Sequence, residues 1–250
     1  VAGDFTQAQL KALAQKWFGG WTGTATASKP PEIEGELARK VVIVDKPGSP
    51  QSVLRIGEVG LQRNNPDFPS VQVMNEILGG LFSSRINLNL REAHGYTYGA
   101  FSTFSYRRGK GPFFVGSMVR TDVTAPAVKE VFNELDKMRA TQPSAAEVSM
   151  AQQTLERGLT AAFETTQQTA ATMRNLYTYN LPLDYYRNLP AKYAAVTPGD
   201  VQQMAEKYLS PDKMVVVVTG DRAKIESGLK ELSLGPTETL DASGKAAAKE

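Results

Sequence analysis

The sequence lacks cysteine altogether and contains a single histidine, His94, among its 250 residues. Without cysteine the chain has no disulfide, no zinc–thiolate site and no thiol nucleophile. One histidine cannot supply the two or three imidazoles that a catalytic zinc site usually takes from a protein. A Ser-His-Asp triad would have to use His94 itself.

A strong charge of one sign and a long apolar run are also missing. The 28 Lys and Arg residues nearly balance the 26 Asp and Glu residues, for a net charge of +2. We therefore expect neither nucleic acid nor a membrane surface as a partner. No run approaches the roughly 18 apolar residues of a membrane-spanning helix. The start without methionine or a signal peptide predicts a processed chain or a piece of a longer one.

The periodicity of the apolar residues predicts an α+β fold. Two strands are followed by two helices, two strands, several helices, and a final strand and helix. We expect one mixed, mostly antiparallel sheet with helices packed mainly on one face. The polar stretch 22–39 is predicted to be a linker, 40–235 the main domain, and 236–250 a disordered tail.

Local patterns predict three further features. A helix is expected over 68–78, a hairpin turn over 107–111, and Ser144 with Glu147 is predicted to form a capping box at the start of a long helix.

A sequence echo links the two ends of the chain. Residues 1–18 and 217–232 each have a valine, one further residue, Gly-Asp and an amphipathic helix. Aligning Val1 with Val218 gives a period of 217 residues (218 minus 1), which is the size of a domain. Residues 1–21 are then the strand end and helix of a preceding homologous domain. The alternative is that this pattern is simply a common strand-to-helix turn.

The stretch 78–106 contains the main candidate site. Arg91 lies near the end of a helix predicted over 83–92, Gly95 is expected to end that helix with positive φ, and Tyr98 begins the next strand. This arrangement can bring both side chains to one edge of the sheet, facing one cavity. Arginine can donate to carbonyls, and a tyrosine hydroxyl can donate to a developing oxyanion. The spacing alone fits equally a surface Arg beside a half-buried Tyr, which is the commoner situation.

Three further features each leave two interpretations. His94 could be a catalytic base or an exposed turn residue. A base would need an acid to orient it, and Glu92 is only its neighbour in the sequence, so an exposed turn residue is predicted. The glycines 79–80 and serines 83–84 could bind an anion, or serve as the caps of two successive helices. A tyrosine cluster could line a peptide-binding chamber or pack helices together; it comprises Tyr177, Tyr179, Tyr185, Tyr186 and Tyr193.

The same stretch resembles the signature of a known family. Its elements are a Leu-Gly-Gly break, Ser-Arg, a short helix ending Leu-Arg-Glu, then Gly and Tyr, here Leu78, Gly79, Gly80, Ser84, Arg85, Leu90, Arg91, Glu92, Gly95 and Tyr98. This resembles the second, non-metal-binding domain of the pitrilysin/insulinase zinc metallopeptidases, which include the mitochondrial processing peptidase. The resemblance extends over residues 41–234. It favours the preceding-domain interpretation of residues 1–21, since these enzymes are built from homologous domains.

The resemblance implies where the chemistry lies. The family's zinc site is an H-x-x-E-H helix of the first domain, and the corresponding helix here reads VQVMNEILGG, without histidine. We therefore expect no cofactor in this chain and zinc in a partner domain or subunit. The family's second domain contributes an Arg and a Tyr, seven residues apart, which hold the substrate backbone and polarise the scissile carbonyl. Arg91 and Tyr98 match this pair, although Tyr96 replaces a usual leucine and His94 a basic residue.

The function expected from this resemblance is that of a substrate-binding, catalytically incomplete domain of a zinc endopeptidase. The isolated chain should be inactive. Its expected partners are an H-x-x-E-H domain or subunit and a peptide substrate, and both a homodimer and a heterodimer are compatible with the sequence. The alternative is a structural subunit, like the core proteins of respiratory complexes. We expect a periplasmic or exported bacterial protein, although a cytoplasmic location also fits.

Overall fold

The structure is a computed structural model that describes residues 1–26 and 38–246. Its strands are β1 Lys40–Asp45, β2 Gln51–Val59, β3 Thr97–Phe104, β4 Pro112–Arg120, β5 Val215–Gly220 and β6 Thr237–Leu240. Its α-helices are α1 Gln7–Phe18, α2 Phe68–Asn75, α3 Arg85–Asn87, α4 Thr124–Ala140, α5 Ala145–Ala161, α6 Thr166–Thr178, α7 Tyr185–Ala194, α8 Pro198–Tyr208 and α9 Arg222–Glu231.

The strands form a single mixed sheet in the order β3-β4-β2-β5-β1-β6. Strands β3, β4, β2 and β5 are antiparallel to one another in that order, whereas β1 lies parallel to both β5 and β6. The predicted α+β class with a mixed, mostly antiparallel sheet is confirmed.

The two faces of the sheet differ in burial. Along β2, Leu54 and Ile56 are buried and Arg55 between them is exposed, the period of two expected for a strand with one covered face. The covered face packs against the helices, whose buried residues form one core with those of the sheet. On the opposite face Phe101 and Met118 remain 42% and 52% exposed.

The two helices beside the site are shorter than the sequence predicts, because both continue as wider π-helical turns. A helix was expected over 68–78, but α2 ends at Asn75 and a π-turn covers Glu76–Gly80. The helix expected over 83–92 is α3, followed by a π-turn at Leu88–Ala93. A β-carbon at Gly79 would collide with the backbone nitrogen of Ser102. Gly79 therefore allows close packing on β3 and is not a helix cap.

Two buried asparagines cover the outer edge of β3. Asn87 Oδ1 accepts a 3.0 Å hydrogen bond from the Ala100 N–H, and Asn87 Nδ2 donates to Phe82 O at 2.6 Å. Asn75 Nδ2 donates to Ser102 O at 3.2 Å, and Asn75 Oδ1 accepts from Ser102 Oγ at 2.9 Å. The edge strand thus presents its backbone groups here to side chains of the helical layer and not to solvent.

The prediction of a disordered tail over 236–250 is wrong for its first part. Residues Thr237–Leu240 form β6, parallel to β1, and the Val41 N–H donates to Pro236 O at 2.9 Å. An ion pair of 3.0 Å joins Lys40 to Glu238. Strand addition uses backbone groups that every sequence has, so a composition poor in apolar residues did not reveal it. Residues 247–250 lie outside the described part, as do residues 27–37 of the expected linker.

The tyrosine cluster divides into buried and exposed members. Tyr185 and Tyr193 are buried in the core, and the Tyr185 hydroxyl accepts a 2.9 Å hydrogen bond from Arg63. Burial raises the pKa of Tyr193 above its ordinary value. Tyr177, in contrast, is 80% exposed. Packing of helices therefore accounts for the buried members.

Replacing Asn87 with alanine should destabilise the domain, because it leaves the buried Ala100 N–H without its acceptor. We expect a loss of about 2 kcal/mol in the free energy of unfolding, measured by urea denaturation. The matched control is Asn188→Ala, which removes an exposed amide from α7 and should change stability by less than about 0.5 kcal/mol. Equal, small losses for both variants would contradict this function of Asn87.

Candidate functional site

Arg91 lies in the π-turn that continues α3. Its guanidinium forms a 2.8 Å ion pair with Glu92 and lies over the ring of Phe82, 4.4 Å from the ring centroid. The Arg91 side chain is 33% exposed. A guanidinium carries five N–H groups in a planar fork, so donors remain for a second acceptor.

A glycine turn connects this helix to β3. Gly95 has φ +63, which confirms the predicted position with positive φ. The Gly95 N–H donates to Arg91 O at 3.1 Å, and the Tyr96 N–H donates to Leu90 O at 2.8 Å. These bonds close the helix end and direct the chain into the strand within two residues.

Tyr98 is exposed because β3 contains a β-bulge. Between Thr97 and Ala100 the strand has one residue more than its partner β4, where Val119 and Ser117 are the paired residues. Without the bulge, period-two alternation would turn Tyr98 to the same covered face as Ala100. With it, Tyr98 is 93% exposed.

The Thr97 hydroxyl holds the bulge together. Thr97 Oγ1 lies 2.6 Å from Met118 O on β4 and accepts a 3.1 Å hydrogen bond from the Gly99 N–H. Ser117 Oγ lies 3.0 Å from Gly99 O and 3.1 Å from Thr97 Oγ1. Two hydroxyls thus replace the backbone pairing that the bulge interrupts.

Arg91 and Tyr98 line one cleft of about 390 Å³. The remaining lining residues are Gln51, Glu92, Gly95, Tyr96, Thr97, Met118 and Arg120. The chemical function of the pair in this cleft stays a prediction.

Sequence reasoning missed the strand residues of the cleft, above all Arg120 and Gln51. They pair with each other across β4 and β2, and they are 69 positions apart (120 minus 51). A signal did exist for Arg120: counting back along the hairpin in the register of the pair Phe104–Phe113 places Arg120 opposite Thr97. The β-bulge shifts this register by one residue, so that Thr97 pairs with Val119. Arg120 follows immediately, and its N–H donates to Tyr96 O at 3.3 Å.

His94 lies outside this cleft, in an exposed turn. Its Nδ1 is 3.1 Å from Asn89 O, and its ring centroid is 4.9 Å from that of Tyr96. The neighbouring acid Glu92 pairs with Arg91. The geometry agrees with the turn residue that the sequence indicates.

An ion pair fixes the helix that contains Arg91. Arg85, in α3, forms a bidentate pair with Glu147 of α5, with Nε–Oε1 2.7 Å and Nη2–Oε2 3.1 Å. The hydrogen bonds from Arg85 lower the pKa of Glu147 from 4.5 to about 2. Glu147 also accepts from the Ser144 N–H at 2.8 Å, which completes the predicted capping box of α5.

Neither a metal cluster nor a membrane span is found in the part of the chain that the structure describes. Over residues 1–26 and 38–246, no group of three or more His, Cys, Asp or Glu side chains could hold a metal ion. Over the same residues, no helix combines the length and the apolar character needed to cross a membrane.

Comparison with known families identifies the fold. A family described as "Peptidase M16 inactive domain" matches residues 1–155, which is more than half of the chain. The chain belongs to this M16 inactive-domain family. The match includes the whole signature stretch 78–106 and confirms the resemblance to the zinc metallopeptidases.

Known relatives agree with this assignment. The M16 domain is 31% identical over 113 residues to a Bacillus subtilis protein called "Uncharacterized zinc protease YmxG", covering 44% of this chain and 26% of that protein. It matches the M16 inactive domain from Pseudomonas fluorescens with TM-score 0.80 and 27% identity, over 87% of this chain and 52% of that one. The periplasmic protease PqqL from Escherichia coli shares the fold at 19% identity, with TM-score 0.69 over 87% of this chain and 24% of PqqL.

The pair Arg85–Glu147 should make the stability of the M16 domain depend on pH. The pKa of Glu147 is lower in the folded state than in the unfolded state. The ionised carboxylate therefore adds to the free energy of unfolding above about pH 5, and this stabilisation is lost as the pH falls toward about 2. Wild type should therefore be more stable than Glu147→Gln near neutral pH, and the difference should shrink steadily through this window. Urea denaturation at a series of pH values measures it.

Glu147→Gln keeps a capping group at the third helical position, so the comparison isolates the ion pair. Glu206→Gln, which removes an exposed carboxylate from α8, is the matched control for the change in charge. A stability difference for Glu147→Gln that stays constant down to pH 2 would contradict the proposed dependence.

Proposed function

We propose that this M16 domain is the substrate-binding, catalytically incomplete half of a zinc-dependent endopeptidase. The observation that supports this most strongly is the convergence of Arg91 and Tyr98 on one cleft, one from a helix end and the other from a β-bulge. The relatives are zinc proteases or M16 inactive domains by name. The chain spans about a quarter of the Bacillus protein and about half of the Pseudomonas structure, so the activity of a whole enzyme enters as part of this proposal.

The residues of this chain do not fit a catalytic zinc. Its single histidine cannot form H-x-x-E-H, and the described residues contain no suitable cluster. Zinc is therefore assigned to a partner domain or subunit carrying H-x-x-E-H. The contribution of this chain is the binding and orientation of the peptide.

Arg91 and Tyr98 suit the binding of a peptide backbone. The free N–H groups of Arg91 can donate to peptide carbonyls while Glu92 and Phe82 hold the guanidinium in place. The Tyr98 hydroxyl can donate to the carbonyl oxygen as negative charge develops on it. Such bonds strengthen when a partner covers the cleft, because water no longer competes for the same donors.

The surroundings of the cleft favour a covering partner. Tyr98, Phe82 and Met118 are 93%, 70% and 52% exposed, which is an unusual concentration of large side chains at one place on a surface. Large aromatic and methionine side chains are typical of interface cores. We propose that the zinc-binding domain is the partner that packs on these side chains and covers the cleft.

The substitutions Arg91→Ala and Tyr98→Phe test the function in the reconstituted protease. Each should lower kcat/KM for peptide hydrolysis by at least tenfold, or about 1.4 kcal/mol of transition-state stabilisation. Removing an oxyanion donor has cost about a hundredfold or more in other enzymes.

Matched controls are Arg157→Ala and Tyr177→Phe, which change exposed residues of the same types outside the cleft. If the cleft variants retained activity within about threefold of the controls, the assignment would be wrong. The structural-subunit alternative would then be the better account of the chain.

We further infer that residues 1–21 end a preceding homologous domain, and that the main domain runs from residue 40 through β6, which ends at Leu240. Among the described residues, α1 buries none of its own, and Trp17, Phe18 and Trp21 are 65%, 56% and 79% exposed. The corresponding helix α9 buries Ile225 and Leu229 against its own sheet and helices. The apolar side of α1 thus lacks the cover that α9 has.

Tryptophan fluorescence tests this inference, because Trp17 and Trp21 are the two tryptophans of the sequence. Emission from the 250-residue chain should be that of water-exposed indole and should shift to shorter wavelength when the preceding domain is supplied. Trp17→Ala should weaken that association by about 2 kcal/mol, a loss of roughly thirtyfold in affinity. An unchanged spectrum in the presence of a folded preceding domain would refute the inference.

An exported or periplasmic location remains a proposal. One structural neighbour, PqqL, is a periplasmic protease by name, but its 19% identity supports the shared fold alone. The alternative is a cytoplasmic location.

A further inference from the structure

Arg120 lines the same cleft as Arg91 and Tyr98 but comes from a different part of the sheet. It is the last residue of β4, opposite Gln51 of β2. Its backbone N–H donates to Tyr96 O at 3.3 Å, which ties the end of β4 to the turn before Tyr98. The side chain is 56% exposed at the mouth of the cleft.

The guanidinium of Arg120 is held in position by two neighbours. Nε and Nη2 donate to Asp122 Oδ1 and Oδ2 at 3.2 and 3.3 Å, and Nη1 donates to Gly95 O at 3.2 Å. The hydrogen bonds from Arg120 lower the pKa of Asp122. Three of the five guanidinium N–H groups are thus engaged, and one each on Nη1 and Nη2 remains free for a ligand.

The charged groups that line the cleft leave it with a positive excess. They are the cations Arg91 and Arg120 and a single anion, Glu92. Glu92 is already paired with Arg91 at 2.8 Å, and Asp122 does not line the cleft. The other lining side chains are neutral. The carboxylates that already contact the two arginines are therefore Glu92 in the cleft and Asp122 beside it.

We propose that Arg120 is a specificity-determining residue that binds a carboxylate of the peptide substrate close to the scissile bond. The carboxylate belongs either to an Asp or Glu side chain or to the C-terminus of a short peptide. This inference rests on the proposed function, because it places the substrate backbone on Arg91 and Tyr98.

The chemistry of a guanidinium and a carboxylate supports this proposal. A guanidinium with two free N–H groups matches the two oxygens of a carboxylate, and charge-assisted bonds of this kind are stronger than those to neutral acceptors. The existing pair with Asp122 uses Nε and one N–H group of Nη2, so a substrate carboxylate can bind the remaining N–H groups without displacing it. Because Asp122 and Gly95 O already orient the side chain, less conformational entropy is lost when the substrate binds.

The test uses the reconstituted protease and peptides that are identical except at one position beside the scissile bond, occupied by Glu, Gln or Lys. Wild type should cleave the Glu peptide about tenfold better than the Gln peptide in kcat/KM. Arg120→Gln should abolish this preference, because kcat/KM should fall about tenfold more for the Glu peptide than for the Gln peptide. Arg120→Glu should reverse the preference toward Lys, and Arg120→Lys should retain part of the preference for Glu.

A second arm compares peptides ending in a free acid or an amide, with Gln at the test position. Arg120-dependent preference for the acid assigns the carboxylate to the C-terminus, and preference confined to the Glu peptide assigns it to a side chain. Arg157→Gln is the matched control, since it removes an exposed arginine from α5 and should leave every preference intact.

Two outcomes would overturn the inference. One is an Arg120→Gln enzyme that keeps its preference for Glu; the other is an equal loss on all peptides, which would make Arg120 a positioning residue. Arg91→Ala and Tyr98→Phe are assayed in parallel on the Gln peptide. Full activity of those two variants would contradict the proposed function. If instead both variants are inactive and Arg120→Gln still prefers the Glu peptide, the specificity inference alone is wrong.

Discussion

The candidate site depends on the way the edge strand β3 is covered by the two π-turn helices. Buried amides of Asn75 and Asn87 meet the outward backbone groups of Ser102 and Ala100, and Gly79 allows the close approach. An unpaired buried backbone group costs about 1–3 kcal/mol, so a shifted register of helix on strand would be penalised at several positions at once. Arg91 is four residues from Asn87, and Tyr98 is two residues from Ala100. The hydrogen bond between Asn87 and Ala100 therefore also fixes the positions of Arg91 and Tyr98 relative to each other.

The β-bulge adds the second constraint, on direction. A regular strand beginning at Thr97 would bury Tyr98 on the same face as Ala100. The extra residue of the bulge leaves the Tyr98 side chain exposed to solvent. The hydroxyls of Thr97 and Ser117 bond the backbone groups that the bulge leaves without strand partners. The contacts of the helical layer with β3 thus set the positions of the two predicted site residues, and the β-bulge sets the direction of the Tyr98 side chain.

The surface around the cleft has the character of half a site. It offers hydrogen-bond donors and large exposed side chains, but the described residues offer no cluster that could hold a metal. Helix α1 shows a similar feature at another place: none of its residues is buried among the described residues, and its aromatic side chains are exposed. Both features agree with the proposed function, and the chain spans about a quarter of the Bacillus protein and about half of the Pseudomonas structure.

Much of the local structure could be predicted from residue patterns, because helix periodicity, strand alternation and glycine turns depend on residues a few positions apart. The α+β class, the capping box at Ser144 and the positive φ of Gly95 belong to this group. Patterns failed where contacts between distant parts of the chain decide, as in the tail strand β6 and in the π-turns that pack on β3.

The sequence by itself determined the chemistry available to this protein: no cysteine, one histidine, and an Arg and a Tyr seven residues apart around a glycine turn. The tertiary structure alone decided which side chains share a cleft with that pair. Gln51 enters it because antiparallel pairing brings the start of β2 beside the end of β4. That pairing depends on backbone hydrogen bonds and core packing across the whole sheet, which no local pattern of residues records.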